Sequence, residues 1–407
     1  MAAHIITGGI TTPQGFRAAG ISAGIKRRGA GSDALPLDLA LIVSDAPGNG
    51  AAVFTTNRAQ AAPVVVSREH LAASGGVVRA VVVNSGCANA CTGAEGLNDA
   101  RRMTEDTARL VGCPPEQVLV ASTGVIGVGL PIEKISDSLP RAMAALDADH
   151  GPLAARAIMT TDPFPKEASA RVTIAGRDVF IGGMAKGSGM IEPMMATMLG
   201  FLTTDAALPA SMVQRALRDA VADTFNAITV DGEPSTNDTV FLLANGRSGA
   251  TVDDASYATF LGGLRTVCRE LALGIVRGGE GATKLVTVNV AGAASREQAR
   301  QAAKAIANSP LVKTAIHGGD PNWGRLVAVA GRAGVEFNLD RAAVQIGPIV
   351  LFDNGRPHDD RAPEAARYLQ NPEVTVTVSL GAGSADATVW TCDLSAEYVR
   401  INADYRT

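Results

Sequence analysis

The stretch KGSGMIEPMMATMLG, residues 186–200, is the most informative part of this chain. It places a small residue, Ala196, directly before Thr197. A Thr hydroxyl is a weak nucleophile unless a base lies beside it, and a cut between these two residues would give Thr197 a free α-amino group as that base. An unperturbed α-amino group has a pKa of about 7.7–8.0, so much of it is neutral near pH 8. The pattern indicates a self-processing acyl-transfer enzyme with Thr197 as nucleophile.

A Thr before a short apolar run is more often a strand residue or a helix cap, and an Ala-Thr pair alone favours that structural interpretation. The surrounding residues favour processing. Gly187 and Gly189 permit unusual backbone angles, and Pro193 restricts the backbone of both itself and its predecessor. Such a segment is suited to presenting a peptide bond to the hydroxyl that follows it. A Walker phosphate loop is excluded, because Lys186 precedes its Gly-Ser.

Composition indicates a compact globular protein. The chain has 407 residues, of which 46% are hydrophobic and 19% charged, which is enough for two or three domains with a large core. A net charge of −4 gives no support for binding to nucleic acid or to an anionic membrane surface. No uncharged run reaches the ~18 apolar residues of a membrane span. The five cysteines are odd in number and lack CxxC spacing, which favours reduced thiols in a cytosolic protein.

Strand and helix patterns alternate along the chain. Apolar runs predict strands at residues 39–44, 51–55, 62–67, 79–84, 118–122, 171–174, 178–181, 238–244, 284–290, 326–330, 342–346, 349–352, 374–379 and 387–390. Helical spacing predicts helices at residues 98–110, 131–146 (interrupted or kinked at Pro140), 209–224, 253–275, 295–308 and 363–369. Hairpin signals recur, such as Asn49-Gly50, whereas a purely parallel sheet needs crossovers throughout. The sequence therefore predicts a mixed α/β fold, with α+β layers, in two domains.

Three further segments are candidates to complete an acyl-transfer site. Thr123 and Gly124 follow a predicted strand and could donate hydrogen bonds to a tetrahedral oxyanion, although the same residues suit an ordinary strand-to-loop turn. Lys186 could hold a carboxylate or be a solvated loop lysine. Glu280, among glycines, could meet an ammonium group or lie in a surface loop. The polar segment 231–238 either lines the site or forms turns. None of the five histidines forms a metal-binding pattern, so no catalytic metal is predicted.

Together these residues resemble the ornithine acetyltransferase family, also called bifunctional glutamate N-acetyltransferase, of arginine biosynthesis. The resemblance runs along almost the whole chain in ordered motifs. The motifs are GITTPQGFRAAGISAGIK (9–26), VVVNSGCANACTG (81–93), ASTGVIG (121–127), MTTDPFPK (159–166), KGSGMIEPMMATMLGFLTTDA (186–206), TVDGEPSTNDT (229–239), GGEGATK (278–284), GGDPNWGR (318–325) and NADYRT (402–407). So many matches in order are far more specific than any one motif.

The resemblance implies cleavage between Ala196 and Thr197, which would give an α chain of residues 1–196 and a β chain of residues 197–407. Thr197 would accept acetyl from N2-acetylornithine and pass it to glutamate. Thr123 and Gly124 match the family's oxyanion-hole pair. The positions that match the family's substrate-binding residues are Thr160, Lys186, Thr197, Glu280, Asn402 and Thr407.

The resemblance further implies an α2β2 heterotetramer without a prosthetic group. Because the motif match starts near Gly9, we expect no transit peptide and a bacterial cytoplasmic location. The sequence leaves open whether acetyl-CoA also donates acetyl groups to glutamate. Two rival functions also stay open: a related self-processing amidase or aminopeptidase that hydrolyses its acyl-enzyme, and an unprocessed small-molecule binding protein that has kept the fold.

Overall fold

The computed structural model describes residues 3–26, 36–192 and 198–404. The chain forms two compact units. The first contains residues up to Asn226 together with Glu233–Ile275, and the second contains Ala227–Gly232 together with the residues from Val276 to Arg406. Each unit combines helices with a mixed sheet, which confirms the predicted α/β class. The first unit takes residues from both sides of position 196, and the predicted division into processed chains there stays a prediction.

Within its described residues, the first unit contains one nine-stranded sheet. Its strands are β1 (His4–Ile6), β2 (Phe16–Ile21), β3 (Leu39–Phe54), β4 (Val77–Cys87), β5 (Val118–Val125), β6 (Lys166–Ile174), β7 (Arg177–Lys186), β8 (Leu199–Thr204) and β9 (Thr239–Ala244). The order is β1-β6-β7-β8-β9-β3-β4-β5, and β2 also pairs with β3. The β8–β9 and β4–β5 pairs are parallel and the others antiparallel.

The apolar run at the start of β3 is continuous because both faces of the sheet are buried. Ala40 and Ile42 belong to one hydrophobic cluster, whereas Leu41 and Val43 belong to another. Successive strand side chains point to opposite faces, so a strand covered on both sides must be apolar throughout. The helices of this unit are α1 (Ala62–Ala73), α2 (Gly93–Val111), α3 (Ile132–Ala144), α4 (Gly151–Ala157), α5 (Ala210–Ala222) and most of α6 (Tyr257–Arg277).

The second unit contains a six-stranded sheet within its described part. Its strands are β10 (Leu285–Ala293), β11 (Ala343–Ile346), β12 (Ile349–Asp353), β13 (Arg356–Pro357), β14 (Glu373–Ser379) and β15 (Ala385–Cys392), in the order β13-β12-β11-β14-β10-β15. Its helices are α7 (Arg296–Ala307), α8 (Pro310–Gly318), α9 (Trp323–Gly331), α10 (Ala362–Tyr368) and α11 (Ala396–Asp404). Ser295 caps α7, because its hydroxyl accepts from the backbone N–H of Gln298 at 3.2 Å.

Two predicted strands are wrong. Residues 62–67 form the start of α1, where Pro63 occupies the first turn, a position that does not need its missing N–H. Residues 326–330 lie in α9, where the side chain of Asn322 caps the helix by accepting from the N–H of Arg325 at 3.1 Å. In both cases the residue that starts the helix, Pro63 or Asn322, was more informative than the apolar run that follows it.

The predicted Asn49-Gly50 hairpin turn is also wrong, because β3 continues through it. Asn49 pairs with Val77 of β4 and with Ala244 of β9, so the strand is held on both sides. The irregularity lies instead in a register shift between Val43 and Gly48. The helix predicted at residues 131–146 is not interrupted, since Pro140 lies inside α3.

None of the helices in the described ranges combines the length and apolar character that a membrane crossing requires.

Candidate active site

The end of β7 and the end of β5 meet in the first unit. The Lys186 ammonium nitrogen donates a hydrogen bond to the hydroxyl oxygen of Thr123 at 3.1 Å, and both residues are buried. An ammonium group only donates, so it occupies a lone pair of the hydroxyl and leaves the hydroxyl proton free for another acceptor. The contact therefore prepares Thr123 as a hydrogen-bond donor.

Gly124, the next residue, has a backbone conformation that requires glycine. Its φ is +128°, and a Cβ atom there would lie 2.4 Å from the carbonyl carbon of Gly86. Gly86 is its partner across the parallel β4–β5 pair and has a φ of +101°. The two glycines allow β4 and β5 to approach closely directly beside Thr123.

A buried carboxylate connects the Thr160 segment to the residue after Lys186. Asp162 Oδ1 accepts from the Gly187 N–H at 2.7 Å and from the Lys166 ammonium at 2.5 Å. Its Oδ2 accepts from the Thr160 N–H at 3.0 Å. The Asp162 side chain is 0% exposed and that of Lys166 1% exposed, so this ion pair is shielded from water.

Lysine charges surround this carboxylate. Burial alone would raise the pKa of Asp162, but the charges of Lys186 and Lys166 lower that pKa to about 2. Burial lowers the pKa of Lys166, and it lowers the pKa of Lys26 to about 8. Lys26 interacts electrostatically with both Lys186 and Asp162. Lys166 pairs with Asp162 and Lys26 interacts mainly with Asp38, so Lys186 is the lysine beside Thr123 that could hold an anionic ligand.

The polar segment 231–238 contributes to this region rather than only forming turns. The Asn237 side-chain amide donates to the carbonyl oxygen of Ser122 at 2.9 Å and to that of Ala88 at 2.6 Å. It therefore fixes the peptide that precedes Thr123. The next residue, Asp238, is buried, and its Oδ2 has no hydrogen-bond partner within the described part of the chain. Burial raises the pKa of Asp238 well above the ordinary value.

The second unit brings together two other predicted residues. Glu280 is buried, and its Oε2 accepts from the Asn402 side-chain amide at 2.8 Å. The loop that carries Glu280 is held by Ser395, whose hydroxyl donates to the Gly281 carbonyl oxygen at 2.7 Å. Asp393 accepts from the backbone N–H of Thr283 at 2.8 Å, farther along the same loop. Glu280 is therefore a fixed carboxylate and not part of an exposed loop.

A family model described as ArgJ family matches residues 17–407. The chain belongs to the ArgJ family. The "Arginine biosynthesis bifunctional protein ArgJ" of Symbiobacterium thermophilum is 49% identical over 405 residues, which cover 99% of both chains. The protein of the same name from Dehalococcoides mccartyi is 47% identical over 405 residues, with 98% of both chains covered. A solved chain of the ArgJ protein from Bacillus halodurans is 44% identical with a TM-score of 0.50, covering 51% of this chain and 100% of that one.

The structure groups the predicted ArgJ-family site residues as follows. Thr123 and Lys186 are in contact, and Asp162 connects Thr160 to Gly187, beside Lys186. Glu280 and Asn402 are in contact in the second unit. The remaining predicted residues, Ala196, Thr197 and Thr407, lie outside the described residues. The catalytic and binding roles of the whole set stay predictions.

The sequence analysis did not single out Asp162 and Lys166 as parts of this region. They stand within the motif MTTDPFPK, four residues apart, and an acid and a base at that spacing at the start of a strand were a usable signal. Asn237 lies in the segment 231–238, which the sequence offered as a lining or a turn, and it precedes the fully buried β9. Nothing local, however, shows that these polar groups are buried.

Proposed function

We propose that this chain transfers the acetyl group of N2-acetyl-L-ornithine to L-glutamate through an acetyl ester on Thr197, giving L-ornithine and N-acetyl-L-glutamate. As an ArgJ-family protein, the chain is an arginine-biosynthesis enzyme of the transferase class. Cleavage between Ala196 and Thr197 precedes catalysis, because it creates the α-amino group that serves as base.

The chemistry has two balanced half-reactions. The Thr197 hydroxyl oxygen attacks the acetyl carbonyl carbon while the α-amino group takes the hydroxyl proton. The amide C–N bond breaks, that proton goes to the leaving nitrogen, and ornithine departs. The glutamate amine then attacks the ester carbonyl, gives one proton to the α-amino group, and the Thr197 oxygen leaves and recovers it. Both steps pass through an oxyanion, which the Thr123 hydroxyl and the Gly124 N–H stabilise.

The contact between Lys186 and Thr123 is the observation that carries this proposal. It leaves the Thr123 hydroxyl proton available and adds a positive charge next to the place where negative charge develops. Leu199 pairs with Lys186 across β7 and β8.

The charge of the first unit's site agrees with the substrates. Donor and acceptor each carry an α-carboxylate, which suits the positively charged region around Lys186. Each also carries an ammonium group, and the family resemblance assigns the buried carboxylate of Glu280 to substrate binding. Because both use one acetyl-enzyme, a ping-pong order follows.

The assembly and location are part of the same proposal. The processed chains form an α2β2 heterotetramer, need no prosthetic group and act in the cytoplasm. The solved Bacillus halodurans chain supports a two-chain product, since all of it is matched by 51% of this chain. The relatives' description as bifunctional supports acetyl-CoA as a second donor to glutamate.

One labelling experiment tests the reaction. Purified protein is incubated with N2-acetylornithine labelled in the acetyl group, with and without glutamate. We expect the label to appear on N-acetylglutamate. We also expect the amount of free ornithine released to be proportional to the glutamate supplied as acceptor. Label in free acetate alone would assign the chain to the hydrolytic amidases instead. The same assay with acetyl-CoA as donor tests the second activity.

A denaturing gel and Edman sequencing test the processing step. We expect two fragments near half size, one of which begins Thr-Met-Leu-Gly. A single intact band together with substrate binding but no turnover would identify an unprocessed binding protein.

A further inference from the structure

Asp162 is the buried charge closest in the chain to the predicted Thr160 position. Its side chain is 0% exposed, and an ionised carboxylate in that environment is costly unless several donors satisfy it. Three donors do so: one is the Lys166 ammonium and the other two are backbone N–H groups. The two backbone donors help to satisfy the carboxylate, and in return they fix the two segments that carry them.

The two backbone donors belong to segments that carry predicted site residues. One is the N–H of Thr160 itself, and the other is the N–H of Gly187, which directly follows Lys186. Strand β7 ends at Lys186, so Gly187 is the first residue beyond the strand. Asp162 therefore holds the backbone at the point where the orientation of Lys186 is set.

The charge of Asp162 acts on the same lysine. Lys186 is the strongest of the neighbouring charges that lower the pKa of Asp162, ahead of Lys166. This attraction restrains the Lys186 ammonium, which is 3.1 Å from the Thr123 hydroxyl. Asp162 thus acts on Lys186 through the Gly187 backbone and through its charge, and Lys186 in turn contacts Thr123.

We infer that Asp162 is a positioning residue for acetyl transfer, which holds Lys186 against Thr123 and so orients the oxyanion-binding hydroxyl. The inference rests on the proposed function of Thr123. In this role Asp162 acts through the residues that it fixes. A displacement of about 1 Å in such a site costs about 10²-fold in rate.

A double-mutant cycle on kcat/KM tests this role. The four proteins are the wild type, Asp162→Asn, Thr123→Ala and the double variant, assayed with N2-acetylornithine and glutamate. We expect Asp162→Asn to lower kcat/KM about 10²-fold in the wild-type background and less than about 5-fold in the Thr123→Ala background, because residues that act through each other are not additive. The loss should fall mainly on kcat. An additive cycle would overturn the inference.

Two matched variants separate positioning from stability. Lys166→Met removes the ion pair but leaves both backbone donors on Asp162, so we expect a lower Tm and, in the same cycle with Thr123→Ala, additive effects on kcat/KM. Non-additivity of Lys166→Met equal to that of Asp162→Asn would also overturn the inference. Asp178→Asn removes an equal charge from the same strand as Lys186, in an exposed pair with Arg171, and should leave kcat unchanged.

The outcomes distinguish the inference from the proposed function. A wild type that forms no N-acetylglutamate rejects the proposed function, whereas an active wild type with an additive cycle rejects only the role of Asp162. If Asp162→Asn fails to fold by circular dichroism, Asp162→Glu replaces it in the cycle. That variant keeps the charge and moves the carboxylate by one methylene, so the same non-additive loss is expected.

Discussion

Lys186 and Thr123 are hydrogen-bonded at 3.1 Å although four strands separate β7 from β5 in the order of the sheet. The sheet must therefore curve strongly for their ends to meet. The register shift of β3 between Val43 and Gly48 lies within its pairing with β4, just before the pairing with β9 begins at Asn49. A bulge increases the local bend of a strand, so this shift contributes to the curvature.

Removal of the Thr123 hydroxyl should lower kcat by about 10²–10³-fold, because one oxyanion donor is lost. We expect Thr123→Ala to leave KM nearly unchanged and Thr123→Ser to restore much of the rate. Steady-state assays with N2-acetylornithine and glutamate measure both constants. Thr266→Ala, which removes an exposed helix hydroxyl, is the matched control. A changed KM with an unchanged kcat in Thr123→Ala would contradict an oxyanion role.

Replacement of Thr197 by Ala should block both processing and transfer, since one hydroxyl serves in both. A denaturing gel should show one intact band, and no label should reach glutamate. Thr197→Ser keeps a hydroxyl beside the new amino group and should still be cut. Normal two-chain processing of Thr197→Ala would count heavily against the scheme.

Gly124→Ala should be far more damaging than Gly127→Ala. Both glycines have positive φ, but only at Gly124 would a Cβ atom meet backbone, 2.4 Å from the Gly86 carbonyl carbon. At Gly127 nothing lies within 4 Å, so the cost is the dihedral strain alone, about 1–2 kcal/mol. Urea unfolding and kcat of the two variants separate strain from collision. Equal losses in both would show that the close approach of β4 and β5 is unimportant.

Asp238 should make the stability of the uncut chain depend on pH. Burial raises its folded-state pKa well above 3.8, so the folded chain keeps a proton that the unfolded chain loses. Its contribution to stability is therefore complete below about pH 4 and declines as the pH rises toward the folded-state pKa. Asp238→Asn does not titrate, so its Tm advantage should grow between about pH 4 and pH 8.

The Asp238 comparison is made in the Thr197→Ala background, where no new amino terminus can form an ion pair with the carboxylate. Asp178→Asn, at an exposed carboxylate, supplies the control for the loss of one acid. A Tm difference that does not change with pH would show that Asp238 is ionised in the folded chain.

Glu280→Ala should raise KM for glutamate by about 10-fold or more, because a hydrogen bond to a charged group contributes about 1.5–3 kcal/mol. The carboxylate is buried and held by Asn402, so its orientation is set before substrate arrives. Glu373→Ala, which breaks an exposed pair with Arg277, is the control. An unchanged KM would remove the substrate-binding role of Glu280.

Helices and strands that show a clear local pattern of apolar residues could be predicted from the sequence. The helices at 98–110 and 295–308 and the strand at 118–122 are confirmed, because a repeating apolar face or a continuous buried run reports its own surroundings. The strand predicted at 62–67 was wrong because a Val-rich run in α1 packs as one side of a helix, which periodicity over six residues cannot distinguish.

The geometry of the candidate site could not be predicted in the same way. The motifs nominate Thr123 and Lys186 separately, but their contact depends on the bend of β3, which arises from pairing on both sides of that strand. Asp162 is likewise a polar residue in a loop by pattern, and only tertiary packing makes it a buried charge. Long-range relationships of this kind are absent from local periodicity.

Strands β8 and β9, which follow position 196, lie between β7 and β3, which precede it, within one sheet. Scission there would leave two polypeptides interwoven rather than two subunits docked through surfaces. They could come apart only by extracting an interior strand, which amounts to unfolding. The two fragments therefore stay associated for as long as the protein is folded. Genes encoding them separately would need to be co-expressed so that the two halves fold together.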